Sequence, residues 1–118
     1  MTQPVVQIFG TAKCRNTQKA LRFFKERGLA TQFIDISVKP PSKGELASAA
    51  KSVPYEDMID TEGKLYETLN LKYIRHNAEE ELLANPMLLK TPLVRAVGKA
   101  AVGFEPEFWQ QTANSFRE

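Results

Sequence analysis

The sequence contains a single cysteine, Cys14, and a single histidine, His76. One cysteine cannot form an internal disulfide or a cysteine-rich metal site, and the single histidine does not make up for the missing cysteines, which argues against structural zinc. Neither sign of charge is in marked excess, because 16 Lys and Arg residues stand against 14 Asp and Glu residues, giving a formal net charge of +2. This balance gives no support to direct nucleic-acid binding or to an acidic membrane surface as partner.

Long hydrophobic runs are also missing. No stretch approaches the roughly 18 apolar residues of a membrane span. The first ten residues, MTQPVVQIFG, lack the basic start and apolar centre of a secretory signal. We therefore expect a cytoplasmic protein with no membrane partner, in which reducing conditions keep a lone thiol free.

The first third of the sequence alternates between strand and helix patterns. The apolar, β-branched residues 5–9 predict a buried strand, and an amphipathic helix follows up to Gly28. Polar and apolar side chains alternate over much of residues 32–36, which predicts a second strand. A strand, a helix and a second strand at this spacing predict a βαβ unit with parallel strands.

The rest of the sequence predicts several helices and then a hairpin. Ser42 followed by Glu45 resembles a capping box that opens a helix to about residue 51, and Asn77 is placed to cap a helix over residues 78–84. Two strand-like runs, residues 92–96 and 99–104, then meet around Val97 and Gly98. An amphipathic helix over residues 105–116 closes the chain.

The 118 residues suffice for one domain and not two. We predict an α/β fold with a mixed sheet of about four strands, in a single domain over residues 1–118. The order is βαβ, then an inserted helical section over roughly residues 40–85, then ββα.

Cys14 comes where the first strand has ended and the first helix begins. The free N–H groups and the dipole at a helix N-terminus stabilise a thiolate, and Lys13 and Arg15 add positive charge beside it. This placement predicts a reactive thiol. The alternative is a small residue that only fills space at the start of a helix.

Several segments resemble a known family. Residues 10–20, GTAKCRNTQKA, resemble the active-site turn of thioredoxin-fold proteins in the arsenate reductase-like group, which holds the glutaredoxin-coupled arsenate reductases and the Spx/MgsR regulators. Four further segments resemble the same family, in the right order between about residues 5 and 109. They are PPSKGEL at 40–46, DTEGKLYETLNL at 60–71, NPMLLKTPLV at 85–94 and VGF at 102–104.

The resemblance implies a thioredoxin-like core in which a cis Thr91-Pro92 turn faces Cys14. Thr17 stands where many relatives carry a second cysteine. Its hydroxyl can lower the pKa of Cys14 by hydrogen bonding but cannot resolve a mixed disulfide. Any redox cycle then requires an external thiol, either glutathione as co-substrate or a glutaredoxin, and we expect no bound cofactor and no metal.

The resemblance also weakens arsenate as the substrate. Two arginines that hold the oxyanion in the arsenate reductases are replaced here by Thr91 and Asp60. Lys90 and Arg95 are candidates to line an anion pocket beside Cys14, although as exposed charges they would need no functional explanation. The full set of candidate anion- or substrate-binding residues is Lys13, Arg15, Lys90, Thr91, Pro92 and Arg95.

Two functions remain open from the sequence. The first is a monothiol oxidoreductase of the arsenate reductase or glutaredoxin type, with Cys14 and Thr17 as the catalytic residues. The alternative is an Spx/MgsR-like regulator or adaptor that binds a protein partner, such as RNA polymerase, without catalysis.

Overall fold

Four strands form one mixed sheet in the computed structural model, which describes residues 5–73, 76–96 and 98–116. They are β1 (Val6–Gly10), β2 (Thr31–Asp35), β3 (Leu93–Ala96) and β4 (Lys99–Val102). Their order across the sheet is β2-β1-β3-β4. β1 is parallel to β2 and antiparallel to β3, and β3 is antiparallel to β4.

Helices connect and follow these strands. Short 3-10 helices lie at Leu71–Tyr73 and Pro86–Leu88. The α-helices of the described residues are α1 (Arg15–Glu26), α2 (Lys43–Ala50), α3 (Tyr55–Met58), α4 (Lys64–Thr68), α5 (Ala78–Ala84) and α6 (Pro106–Phe116). The predicted α/β class, the element order and the mixed sheet of four strands are therefore confirmed. The assignment of residues 1–118 to a single domain stays a prediction.

The sheet separates two hydrophobic clusters. On one face, α1 and α6 bring Phe24 and Trp109 against Ile8 and Val94 of the sheet. On the other face, the helices between β2 and β3 pack against Phe9 and other sheet residues in a larger cluster. Because alternate residues of a strand point to opposite faces, β1 contributes to both clusters.

Local capping signals decide where the helices start. The Ser42 hydroxyl accepts from the Glu45 backbone N–H at 3.1 Å, and the Glu45 carboxylate accepts from the Ser42 N–H at 2.9 Å. This is the predicted capping box. The Asn77 side chain likewise accepts from the Glu80 N–H at 3.0 Å and caps α5.

Strand boundaries differ slightly from the sequence prediction. β3 begins at Leu93 and not at Pro92, since proline has no N–H to donate to a strand ladder. β4 ends at Val102, because Gly103 takes a φ of +81° that turns the chain out of the sheet. The hairpin is confirmed, although Val97 in its predicted turn lies outside the described residues.

Candidate active site

Cys14 lies just beyond the carboxyl end of β1 and is the N-cap residue of α1. Its backbone is extended, with φ −78° and ψ 117°, and its carbonyl accepts a hydrogen bond from the Gln18 N–H at 3.1 Å. The Cys14 N–H donates to the Thr11 carbonyl at 3.1 Å and closes the preceding turn. The half-buried thiol is thus held where the N–H groups of the first helical turn have no intrahelical partner.

Thr91 contacts the sulfur directly, across 77 positions of sequence. Its hydroxyl donates to Cys14 Sγ at 3.0 Å, and the thiol donates a long contact of 3.8 Å to the Thr91 carbonyl. The Thr91-Pro92 peptide bond is cis, as the family resemblance implies. β3 runs antiparallel to β1, so the start of β3 lies beside the end of β1 and brings Thr91 to the thiol.

Thr17 lies on the other side of the site, in the first turn of α1. Its side chain is fully buried, and its hydroxyl has no hydrogen-bond partner among the described residues. The side chain packs directly on Gly10, where an added Cβ would overlap the Thr17 hydroxyl and methyl. The hydroxyl is therefore free to turn toward the sulfur when Cys14 loses its proton, since a thiolate accepts hydrogen bonds better than a thiol does.

The pKa of Cys14 lies below its ordinary value. Partial burial is the largest single influence and would by itself raise the pKa. Hydrogen bonding from the side chains of Thr17 and Thr91, and from the backbone N–H groups of Thr17 and Asn16, lowers the pKa and outweighs burial. The fold therefore favours the thiolate, which is the nucleophilic form of cysteine.

Lys13 and Arg15 are exposed on either side of Cys14. The hydrogen-bond donors just described account for the lowered pKa of the thiol, without a contribution from these two charges. Their place beside the thiol leaves them available to an incoming anionic group.

Comparison with known proteins identifies the family. The model of the ArsC family matches residues 9–112. The chain belongs to the ArsC family. It is 32% identical over 106 residues to the uncharacterized protein YusI of Bacillus subtilis, covering 84% of this chain and 90% of that protein. It is 31% identical over 106 residues to an arsenate reductase of Neisseria meningitidis, covering 85% of this chain and 91% of that protein.

A solved structure supports the same fold. An arsenate reductase from Vibrio cholerae superposes with a TM-score of 0.81 at 24% identity, covering 94% of this chain and 99% of that one. The thioredoxin-like, arsenate reductase-like architecture inferred from the sequence is therefore confirmed.

In this ArsC family chain, Arg95 does not lie at the thiol. It pairs with Gln7 in the sheet, two positions along β3 from the Leu93–Phe9 pair that is nearer to Cys14. Its guanidinium is 3.9 Å from the Glu45 carboxylate of α2. Strand alternation and this ion pair hold Arg95 on the face opposite α1, so the expected contribution of Arg95 to an anion pocket beside Cys14 is not supported by its position.

Lys90 directly precedes Thr91 in the chain, and its side chain is exposed. Its N–H donates to the Met58 carbonyl at 2.6 Å, and its side chain crosses Gly103, where an added Cβ would come within 3.0 Å of Lys90 Cε. Gly103 in turn donates its N–H to the Pro92 carbonyl at 2.9 Å. Lys90 thus lies beside the cis-proline turn, and its role as an anion-binding residue remains a prediction.

Asp60 accepts hydrogen bonds that hold the turn before α4, which gives a structural reason for an aspartate at this position. Its carboxylate accepts from the Glu62 N–H at 3.1 Å, and its carbonyl accepts from the Gly63 N–H at 3.1 Å. The Asp60 N–H donates to the Leu88 carbonyl at 2.8 Å, which links this turn to the segment leading to Thr91. An arginine at this position could not accept the first of these hydrogen bonds.

Other chemistry is sparse in the part of the chain that the structure describes. No group of three or more His, Cys, Asp or Glu residues is placed to hold a metal ion there. His76 is exposed and lines a surface depression with Tyr55 and Glu79. None of the helices in residues 5–73, 76–96 and 98–116 has the length and apolar character to cross a membrane.

The direct bond between Thr91 and the thiol is not predicted from the sequence. The family resemblance marks Thr91 as a replaced arginine and an anion-binding candidate, whereas in the structure its hydroxyl donates to Cys14 Sγ. The available signal was the expectation that a cis-proline turn faces the cysteine, which places the residue before that proline within reach of the sulfur.

Proposed function

We propose that this chain is a monothiol oxidoreductase that uses Cys14 for thiol–disulfide exchange with an external thiol. The observation that carries the proposal is the Cys14 sulfur at the start of α1, with the Thr91 hydroxyl 3.0 Å away and a pKa below the ordinary value. A thiolate poised in this way attacks disulfide sulfurs faster than an unperturbed thiol at neutral pH, since more of it is ionised.

The reaction proceeds in two exchanges. The Cys14 thiolate attacks one sulfur of a substrate disulfide, a Cys14–S–S–R bond forms, and the other sulfur leaves as a thiolate that takes up a proton. An external thiolate then attacks the mixed disulfide and Cys14 leaves as a thiolate. In net terms, one external thiol and the substrate disulfide give one free substrate thiol and a disulfide between the external thiol and the other substrate sulfur, and Cys14 returns to its starting state.

Because the chain has no second cysteine, the thiol that resolves the mixed disulfide comes from another molecule. Thr17 occupies the position at which a second cysteine would resolve the mixed disulfide, and the sequence has no other cysteine. Glutathione or a glutaredoxin is therefore part of the proposal, as is a reducing, cytoplasmic setting that supplies such thiols. The arsenate reductase of Neisseria meningitidis among the relatives supports a reductive reaction.

Arsenate is not the substrate we propose. The positions that the family resemblance assigns to two oxyanion-binding arginines hold Thr91 and Asp60. Thr91 donates its hydroxyl to the sulfur, and Asp60 adds a negative charge that repels an oxyanion.

The test is incubation of the reduced protein with oxidised glutathione, followed by intact-mass measurement. We expect a glutathione adduct on Cys14 in most molecules, and release of that adduct by glutaredoxin with glutathione. In a parallel arm, we expect arsenate to leave the rate of Cys14 alkylation unchanged.

Two results would contradict the proposal. A Cys14 that stays unmodified by oxidised glutathione would exclude the exchange reaction, and retention of a protein partner under those conditions would favour the regulator. Protection of Cys14 by arsenate would restore the arsenate reductase activity that Thr91 and Asp60 argue against.

A further inference from the structure

A basic stripe runs along the exposed side of α1, starting next to the thiol. Arg15, Lys19 and Arg22 are spaced four and three residues apart, which places them on one face of the helix. All three are exposed. In the described part of the chain the only ion pair joins Arg95 to Glu45, so none of the three cations has a carboxylate within pairing distance.

An aromatic surface borders this stripe. Phe104, in the loop between β4 and α6, has 52% of its surface exposed and packs edge-on against Trp109 at 5.4 Å between ring centroids. Lys19 Nζ lies 5.0 Å from the centroid of the Phe104 ring. With Arg22 and Phe23 these residues line one shallow groove, which we call the basic–aromatic groove.

Short stretches of chain and one hydrogen bond connect the groove to the site of Cys14. Gly103, directly before Phe104, donates its N–H to the Pro92 carbonyl at 2.9 Å. Thr91, directly before Pro92, donates its hydroxyl to Cys14 Sγ. On the helix side, Arg15 at the start of the basic stripe follows Cys14 directly, so α1 and the Phe104 loop each lead from the groove to residues of the site.

The charges along the groove are uneven. Lys19 lines the groove nearer along α1 to Cys14, and Arg15 lies one helical turn before it, whereas the acidic Glu26 lines the far end of the groove and Glu105 follows Phe104. A partner that approaches the thiol therefore meets cations that have no carboxylate partner among the described residues, which favours carboxylates around its own reactive sulfur.

The length of the groove argues for a protein and not for glutathione. Arg22 lies eight residues after Cys14, a separation of about 12 Å along the helix axis. Glutathione is a tripeptide of about 10 Å in its extended form, with its sulfur near the middle. A glutathione bound through its sulfur to Cys14 extends about 5 Å to either side of that sulfur, less than the separation of Arg22 from Cys14 along the helix axis.

We propose that the basic–aromatic groove is the docking surface for the protein that reduces Cys14, a thiol protein whose reactive sulfur is bordered by carboxylates and an apolar patch. This inference rests on the proposed function, since it concerns the second exchange of that cycle. The partner thiolate attacks the glutathione sulfur of the Cys14 adduct, a partner–glutathione disulfide forms, and Cys14 leaves as the thiolate.

The experiment follows reduction of the purified Cys14–glutathione adduct by an acidic glutaredoxin, with uncharged dithiothreitol as the reference reductant. For Lys19→Glu/Arg22→Glu we expect the rate constant with glutaredoxin to fall about tenfold or more at low salt. The rate constant with dithiothreitol stays within about twofold of wild type. The loss shrinks above about 0.1 M salt, where the screening length falls below about 10 Å.

The matched control is Lys51→Glu/Lys99→Glu, which makes the same change in net charge. Both lysines are exposed, and they lie near the hairpin end of the sheet, where Ser52 accepts from the Ala100 N–H. We expect this variant to react with glutaredoxin within about twofold of wild type. Lys19→Gln/Arg22→Gln repeats the test if charge reversal prevents folding. Phe104→Ala tests the aromatic side of the groove, and we expect it to lower the rate constant with glutaredoxin about threefold to tenfold.

The outcomes separate this inference from the proposed function. Suppose that the adduct forms and that Lys19→Glu/Arg22→Glu and Lys51→Glu/Lys99→Glu lower the rate constant with glutaredoxin equally, or that neither lowers it. The groove is then not the docking surface, and the proposed function stands. Failure of glutaredoxin to reduce a well-formed adduct also overturns the docking surface. Failure of Cys14 to form the adduct contradicts the proposed function itself.

Discussion

Replacing Cys14 by serine is expected to abolish thiol–disulfide exchange, with a loss of at least about a thousandfold that reaches the background of the assay. The chain has no other cysteine, so no second sulfur can form the mixed disulfide. The hydroxyl of serine is not ionised near neutral pH and does not form stable disulfide-like adducts. The measurement is adduct formation with oxidised glutathione by intact mass, together with the turnover of a glutathionylated peptide.

The control for this variant is its folding. Cys14 is half buried at the start of α1, and serine is a preferred N-cap residue, so Cys14→Ser should retain the helical circular dichroism signal and the unfolding temperature. Turnover of the disulfide substrate by a well-folded Cys14→Ser protein would show that the chemistry lies elsewhere and would remove the basis of the proposed function.

Gly10→Ala is expected to give the second largest effect. A Cβ at this position would overlap the Thr17 side chain, which is fully buried and packed on the Gly10 backbone. Overpacking of this kind costs about 1–3 kcal/mol of folding free energy. Displacement of Thr17 also removes a donor from Cys14, so the pKa of the thiol should rise toward its ordinary value.

A matched glycine distinguishes overlap from a general response to added side chains. Gly44 lies inside α2, and its nearest atom to an added Cβ is Ser42 Oγ at 4.0 Å. Gly44→Ala should therefore stabilise the protein by up to about 1 kcal/mol and leave the Cys14 pKa unchanged. Urea unfolding and the pH dependence of alkylation measure both quantities. Equal stability changes in the two variants would contradict the packing of Thr17 on Gly10.

Features encoded by neighbouring residues were predictable from the sequence. The capping box of Ser42 and Glu45 and the cap at Asn77 depend on residues three positions apart, so the pattern and the hydrogen bonds coincide. Gly28, at a φ of +70°, ends α1 as predicted. The family resemblance added the cis bond before Pro92, which spacing alone does not indicate.

Features that join distant parts of the chain were not predictable in the same way. The Thr91 hydroxyl reaches Cys14 only because β1 and β3 are antiparallel neighbours, and the ion pair of Arg95 with Glu45 depends on where α2 packs on the sheet. The position of Lys90 across Gly103 depends on the turn after β4. Each of these contacts follows from tertiary packing, which residue types and spacing leave open.

The most direct test of the account is the pH dependence of Cys14 alkylation by iodoacetamide, in the wild type and in Thr17→Val. Alkylation follows the thiolate fraction, so the rate rises with pH and its midpoint reports the pKa. Valine keeps the shape of Thr17 and removes a hydroxyl that has no other partner, so the fold should be retained. We predict a wild-type midpoint below the free-thiol value of about 8.5 and a higher midpoint in Thr17→Val. A wild-type midpoint at or above that value, or the same midpoint in both proteins, would contradict a thiolate stabilised by this site.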